Sequence, residues 1–215
     1  MRIAVLTANI GNFDKVYGIP KQDIEFEYFY YHENNLPFPL PNLDNRTKSK
    51  YLKLQTHRFL NHDLFIWVDA SVEIKANSFV KFFIENAQQY DIALFKHQER
   101  SNVYDELSYI SQKMKEGNKY LLSRYSNQQL DKEFQFYADT GFPRLMQLFS
   151  CFVFARWNTS HVNKAFDEWW KRSIEFSNFD QAMFSYIAYE GKLNIKQLEY
   201  DPIRTYKLFT RNAHI

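Results

Sequence analysis

The stretch HDLFIWVDASVEI (residues 62–74) constrains the fold more than any other part of the chain. Leu64 to Val68 are five consecutive apolar residues, so the segment has no polar face to turn to water. An unbroken run of that length between polar residues predicts a strand covered on both faces, as in the middle of a parallel α/β sheet. Asp69 then stands at the carboxyl end of this strand, where open α/β sheets keep their ligands. A carboxylate there suits a metal ion or a sugar hydroxyl. It also suits capping of the turn that follows, and the strand alone leaves both roles open.

The rest of the chain alternates around that strand. Residues 2–7 predict a first buried strand, with Ala8, Asn9 and Gly11 in the loop at its carboxyl end, and residues 24–31 predict a second. NNLPFPLPN carries three prolines and predicts a surface loop. Residues 46–60 lack Pro and Gly and predict a helix, on which Arg46, Lys50, Lys53 and His57 share one face. Such a stripe can offer cations and free N–H groups to a phosphate, or it can be a solvated basic face. Downstream, residues 78–89 predict a helix and 92–95 a short buried strand. A helical stretch over 104–125 is broken near Gly117, and YADTGFPR (137–144) forms a turn-rich loop. Residues 146–155 predict a strand, followed by a helix capped by Thr159 or Ser160 with Trp169 and Trp170 in the core. A helix over 179–189, a strand over 193–198 and a polar tail complete the pattern. Strands and helices in this order predict a single α/β domain.

Composition narrows the chemistry. A length of 215 residues suits one domain with a sizeable core. Its 40 aromatic residues (21 Phe, 15 Tyr, 4 Trp) are mostly core, so they do not by themselves argue for a ligand. A formal charge of +2 gives no reason to expect nucleic acid or a membrane surface as partner. Cys151 is the only cysteine, which excludes an internal disulfide and a cysteine zinc site, and its apolar surroundings predict an inert thiol. The first residues are too quickly polar for a signal peptide or membrane span, so a cytoplasmic protein is expected. Five glycines leave no GxGxxG and no GxxxxGK[ST] loop, and GxSxG and HExxH are missing as well. What remains is an acid at a strand end, a basic helix before it and further carboxylates after it. That set suits metal-assisted transfer from a diphosphate-bearing donor.

FIWVDAS resembles the strand and DxD-like motif of GT-A-fold glycosyltransferases that use nucleotide sugars. The order LTANIGNFD, RTKSKYLK, WVDAS, KHQERSNVYDE, GFPRL, FDEWW and SNFDQAMFSY resembles, more narrowly, a glycosyltransferase-like family of plants and bacteria. That family was long catalogued as a domain of unknown function and was later linked to plant cell-wall and mucilage polysaccharides. The likeness runs from Leu6 to about Tyr186. It implies a GT-A-like fold with a mostly parallel central sheet flanked by helices. A Rossmann-like nucleotide-sugar half would span residues 1–100, and an acceptor half 101–215.

By the same resemblance Thr7, Ala8 and Asn9 meet the base and ribose, and Arg46 and Lys50 face the diphosphate. Asp69 is the first acid of the motif, but Ser71 stands where many relatives have the second, and a hydroxyl is a poorer ligand for Mg²⁺ or Mn²⁺. His214 completes the metal site in this reading, unless it belongs to a disordered tail. His97 and Asp105, with Glu106, are expected at the donor sugar. Asp180 and Arg100 are the expected catalytic residues, with Gln181 on a sugar hydroxyl; for Asp180 the structural alternative is a helix N-cap. The implied activity is transfer of a sugar, a UDP-sugar by resemblance, to a glycan or glycoprotein acceptor, with a divalent cation and a lean to retention. A nucleotidyltransferase, a sugar-phosphate hydrolase and a silent glycan-binding module are the alternatives.

Overall fold

The computed structural model describes residues 1–40, 42–201, 205 and 207–212. Six strands form the main sheet: β1 (Ile3–Ala8), β2 (Glu27–Tyr31), β3 (Leu64–Val68), β5 (Ile92–Lys96), β6 (Phe149–Trp157) and β7 (Ile195–Leu198). Their order is β2-β1-β3-β6-β5-β7. Only β6 is antiparallel to its neighbours, β3 and β5; β1 runs parallel to β2 and β3, and β5 to β7. This is the mostly parallel sheet that the apolar run of β3 implies.

All five residues of β3 and all six of β1 are buried. Alternation sorts them into two cores. Ala4, Leu6, Phe65, Trp67 and Phe154 point to one face, and Ile3, Val5, Leu64, Ile66 and Val68 to the other. The first face is covered by α1 (Asn45–Leu54), α3 (Val103–Lys115), α5 (Leu130–Asp139), α6 (Ser160–Glu175) and α7 (Asp180–Glu190), with α4 (Lys119–Tyr125) beside α3. The second lies under α2 (Phe79–Ala87) and a small antiparallel ribbon of β4 (Val72–Ile74) and β8 (Phe209–Arg211). A fully buried side chain of Phe or Leu size contributes about 1.5–3 kcal/mol. Trp169, wholly enclosed against Phe154, Phe166 and Phe184, is therefore a core residue as expected. Trp170 sits only half-buried, edge-on to Tyr51.

Several boundaries differ from expectation. The basic helix stops at Leu54, and residues 56–58 form a separate 3-10 turn. The Thr56 hydroxyl donates to the Leu52 carbonyl at 2.8 Å, a side-chain bond that competes with helix continuation. His57 therefore leaves the face that Lys50 and Lys53 share. Residues 137–139, expected in a loop, are the last turn of α5, and the reversal comes only at Gly141, whose φ is +70°. The second strand begins at Glu27 and the strand expected from residue 146 begins at Phe149. The expected polar tail contains β8, which pairs with β4 immediately after Asp69. One loop needs its glycine: Gly11 has φ +89°, and a Cβ there would lie 2.7 Å from Asn45 Nδ2.

Candidate active site

The carboxyl end of β3 meets the middle of α1 and the start of α7. Asp44 caps α1 by accepting from Thr47 N at 2.8 Å, and this sets the rotation of the helix. Lys50 and Lys53 then point at the sheet. Lys53 Nζ donates to Asp69 Oδ1 at 3.1 Å and to Asp180 Oδ2 at 2.8 Å, and Lys50 Nζ donates to Asp180 Oδ1. Trp67 Nε1 also donates to Asp69 Oδ1, at 2.6 Å. The Lys53 side chain is only 3% exposed, whereas that of Asp69 is 37% exposed, so the cluster is closed below and open above.

Electrostatics follow from this packing. Burial alone would raise the Asp180 carboxyl, but Lys50 and Lys53 outweigh it and hold the group down at about 2. Burial would lower the Lys53 ammonium, yet Asp180 and Asp69 raise it above the ordinary lysine value. For Lys50 burial wins over its bond to Asp180, with help from the neighbouring charge of Lys53, and the ammonium falls to about 8. Asp180 is the first residue of α7 and not its cap; the capping position is Phe179 and no side chain caps it. Cys151 lies close by on β6, where burial pushes its thiol well above the usual range, so it is inert as expected.

Of the expected nucleotide residues, Thr7 lines a cleft with Lys15, Tyr17, Tyr28, Tyr30 and Ala70. Its hydroxyl is buried and has no hydrogen-bond partner among the described residues. Asn9 is also buried, but both ends of its amide hold Asp14: Nδ2 donates to Asp14 O at 2.7 Å and Oδ1 accepts from Asp14 N at 3.1 Å. Asn9 thus shapes the loop after β1, beside the buried Ala8. Arg46 Nη1 donates to Arg124 O at 2.7 Å, and its guanidinium stacks on Tyr125 at 4.8 Å from the ring centre.

His97, Arg100, Asp105 and Glu106 form a second cluster at the end of β5. Arg100 Nε pairs with the buried Glu106, its Nη1 with Glu99 at 3.0 Å, and its plane stacks on Tyr109. His97 Nδ1 accepts from Arg100 N at 3.1 Å, and burial followed by the Arg100 charge lowers its pKa below the ordinary histidine value. Asp105 is exposed and closes the N-cap of α3, its carboxylate accepting from Asn102 Nδ2 at 2.6 Å. The described contacts tie this cluster to α3 and not to Lys50, Lys53, Asp69 and Asp180. Gln181 is half-buried on the first turn of α7.

The expected divalent cation meets a different donor set. Mg²⁺ or Mn²⁺ needs several oxygen ligands in near-octahedral geometry, for Mg²⁺ at about 2.0–2.1 Å. Among the described residues no group of three His, Cys, Asp or Glu side chains is placed to hold a metal. Asp69 Oδ1 already accepts from Lys53 and Trp67. Two unit charges of like sign about 4 Å apart near a surface repel by about 4 kcal/mol, and a divalent ion doubles that. Ser71 is buried, and its carbonyl accepts from Asn212 N at 2.9 Å. His214 lies outside the described residues. Among the described residues, Asp69 and Ser71 by themselves do not make a divalent-cation site.

The mostly parallel sheet flanked by helices is a GT-A-like α/β fold. Among solved structures, mouse xyloside xylosyltransferase 1 aligns at TM-score 0.50 and 10% identity over 92% of this chain and 85% of that one. The WbbM bifunctional glycosyltransferase aligns at TM-score 0.51 and 10% identity; 92% of this chain is covered, but only 38% of the larger protein. Residues 35–196 match the TOD1/MUCI70, glycosyltransferase-like domain, and the chain belongs to that family. A search of curated protein sequences finds no match. Among the described residues no helix is long and apolar enough to cross a membrane.

The residue that reading the sequence undervalued is Lys53. It was visible on the basic face of α1, but only the fold shows that it reaches both carboxylates.

Proposed function

We propose that the chain transfers a sugar from a nucleoside diphosphate sugar, UDP by family resemblance, to a glycan or glycoprotein acceptor. The observation that carries this reading is the Lys50–Lys53–Asp69–Asp180 cluster at the carboxyl end of β3, in a chain of a glycosyltransferase-like family. Thr7 and the tyrosines of the adjoining cleft suit a base and ribose, while Lys50 and Arg46 lie on the helix that would face the diphosphate. In the reaction the C1–O bond breaks with its electron pair on the departing phosphate oxygen. The acceptor hydroxyl oxygen bonds to C1 and, in a transfer with retention, its proton passes to that phosphate oxygen. Asp180, ionised at neutral pH, orients the sugar hydroxyls, and positive charge at the site stabilises the leaving diphosphate.

A thermal-shift panel of nucleotide sugars, nucleoside triphosphates, sugar phosphates and free glycans tests this reading. A nucleotide sugar at a hundred times its Kd is expected to stabilise the fold by about 2.7 kcal/mol. Stabilisation by a triphosphate or a glycan alone would replace this function with nucleotidyl transfer or glycan binding.

A further inference from the structure

A carboxylate at the end of β3 and one at the start of α7 face a common point, and that point holds an ammonium. Lys53 Nζ donates to Asp69 Oδ1 at 3.1 Å and to Asp180 Oδ2 at 2.8 Å. Its stem runs between apolar walls, with Nζ 5.6 Å from the ring centre of Trp67 and 5.8 Å from that of Phe154. The group is 3% exposed, so packing fixes where the charge sits. Trp67 Nε1 donates to the same Asp69 oxygen, which leaves Oδ1 saturated by two protein donors. A divalent ion joining these two carboxylates would have to expel a buried, doubly paired ammonium. Lys50 differs in having, among the described residues, only Asp180 as its carboxylate partner, so it is the cation able to exchange that partner for a phosphate oxygen.

We infer that the Lys53 ammonium takes the station of the divalent cation in this site, bridging Asp69 and Asp180, and that the donor is bound without a metal, its diphosphate paired with the Lys50 ammonium. The inference rests on the nucleotide-sugar reading given above and deepens it.

Calorimetric titration of UDP into metal-stripped protein, in EDTA and then in 1 mM Mn²⁺, tests it directly. The expected result is a UDP Kd that agrees within about twofold in the two buffers, with no Mn²⁺ binding by electron paramagnetic resonance in either the free or the UDP-bound protein. A second arm uses Lys53→Met, which removes the ammonium and leaves both carboxylates. This variant is expected to gain an Mn²⁺ site that the wild type lacks. A wild-type UDP affinity that rises tenfold or more with Mn²⁺ would overturn the inference and leave the nucleotide-sugar reading standing, as would a folded Lys53→Met protein with no Mn²⁺ site. Absence of UDP and UDP-sugar binding in either buffer would overturn both. If Lys53→Met does not fold, the wild-type comparison alone decides.

Discussion

Two groups of buried charge lie toward the two ends of β3, and both are reached from the same short segment of chain. At the carboxyl end, Lys50 and Lys53 meet two carboxylates, one of which opens to solvent. Toward the amino end, Arg156 is wholly buried, with Phe65 and Phe166 against its guanidinium at 4.8 and 4.2 Å. Its Nη1 donates to Asn163 Oδ1 at 3.0 Å, and its Nη2 lies 3.3 Å from His57 Nδ1. His57 in turn meets Asp167 through Nε2 at 3.0 Å. Burial, then the Arg156 charge, lowers His57 to about 4, so the ring is neutral at pH 7. The difference is instructive. A cation sealed among rings and neutral partners can hold elements together but offers nothing to a ligand. Lys50, held by Asp180 beside a carboxylate that opens to solvent, can exchange its partner.

Breaking the sealed group should cost the most stability. Arg156→Ala removes the packing on two rings and takes the donor from Asn163 Oδ1 and His57 Nδ1, so a loss of about 3–5 kcal/mol is expected in denaturant unfolding. The nucleotide affinity of the protein that remains folded should not change; a weaker affinity would mean that the two groups are coupled.

Asp180→Asn acts on the open group and should show in two readouts. Because the folded-state pKa of Asp180 is about 2, below its ordinary 3.8, its stabilisation is fully present above pH 4 and is lost as pH falls through about 2. At pH 7 the substitution is expected to lower stability on the order of 2 kcal/mol and turnover about 100-fold or more. Turnover at the wild-type rate in a destabilised protein would reduce Asp180 to a counter-ion for the lysines.

The pH dependence of binding sharpens the contrast. Lys50 is charged below about 8 and loses its proton above it. UDP affinity should therefore be flat from pH 6.5 to 7.5 and fall toward tenfold per unit above 8. A flat profile to pH 9.5 would show that Lys50 is not the cation the phosphates meet.

The smallest effect is expected at a third buried ionisable group, one with no cation beside it among the described residues. Glu133 on α5 accepts from Tyr137 OH at 2.6 Å and from the Ser177 hydroxyl, just before Asp180. Burial lifts it to about 7, against the hydrogen bonds of Ser177 and Tyr137. Since its folded pKa lies above its ordinary 4.5, stability is lost as pH rises from about 4.5 through 7. Glu133→Gln keeps its size, so at pH 8 it should stabilise by about 1–2 kcal/mol, with no gain at pH 4.5. Destabilisation at both pH values would show that both carboxyl oxygens are needed as acceptors for Tyr137 and Ser177.

What could be read from the sequence depended on how locally each feature is encoded. β1 and β3 are buried on both faces, so their apolar runs are unbroken and plain. The cap of α6 was equally legible, Thr159 accepting from Val162 N at 3.3 Å. β4 and β8 are three residues each, too short for any period to show, and their pairing joins Val72 to Arg211 across most of the chain. The basic face of α1 was seen, but helical spacing continued it to His57, because nothing in the spacing reveals that Thr56 ends the helix. The meeting of Lys53 with Asp180 spans 127 positions and has no local signature. Family resemblance supplied Asp180, and the fold supplied its partner.

The central claim, that the open cluster receives a nucleoside diphosphate, is tested most directly by titrating UDP and uridine in parallel into wild-type protein and Lys50→Met. A charge-assisted contact is worth about 1.5–3 kcal/mol. The variant should therefore bind UDP about 10- to 150-fold more weakly than wild type while uridine affinity stays within twofold. Equal losses for the two ligands, or unchanged UDP affinity, would contradict the account and leave Lys50 a structural partner of Asp180.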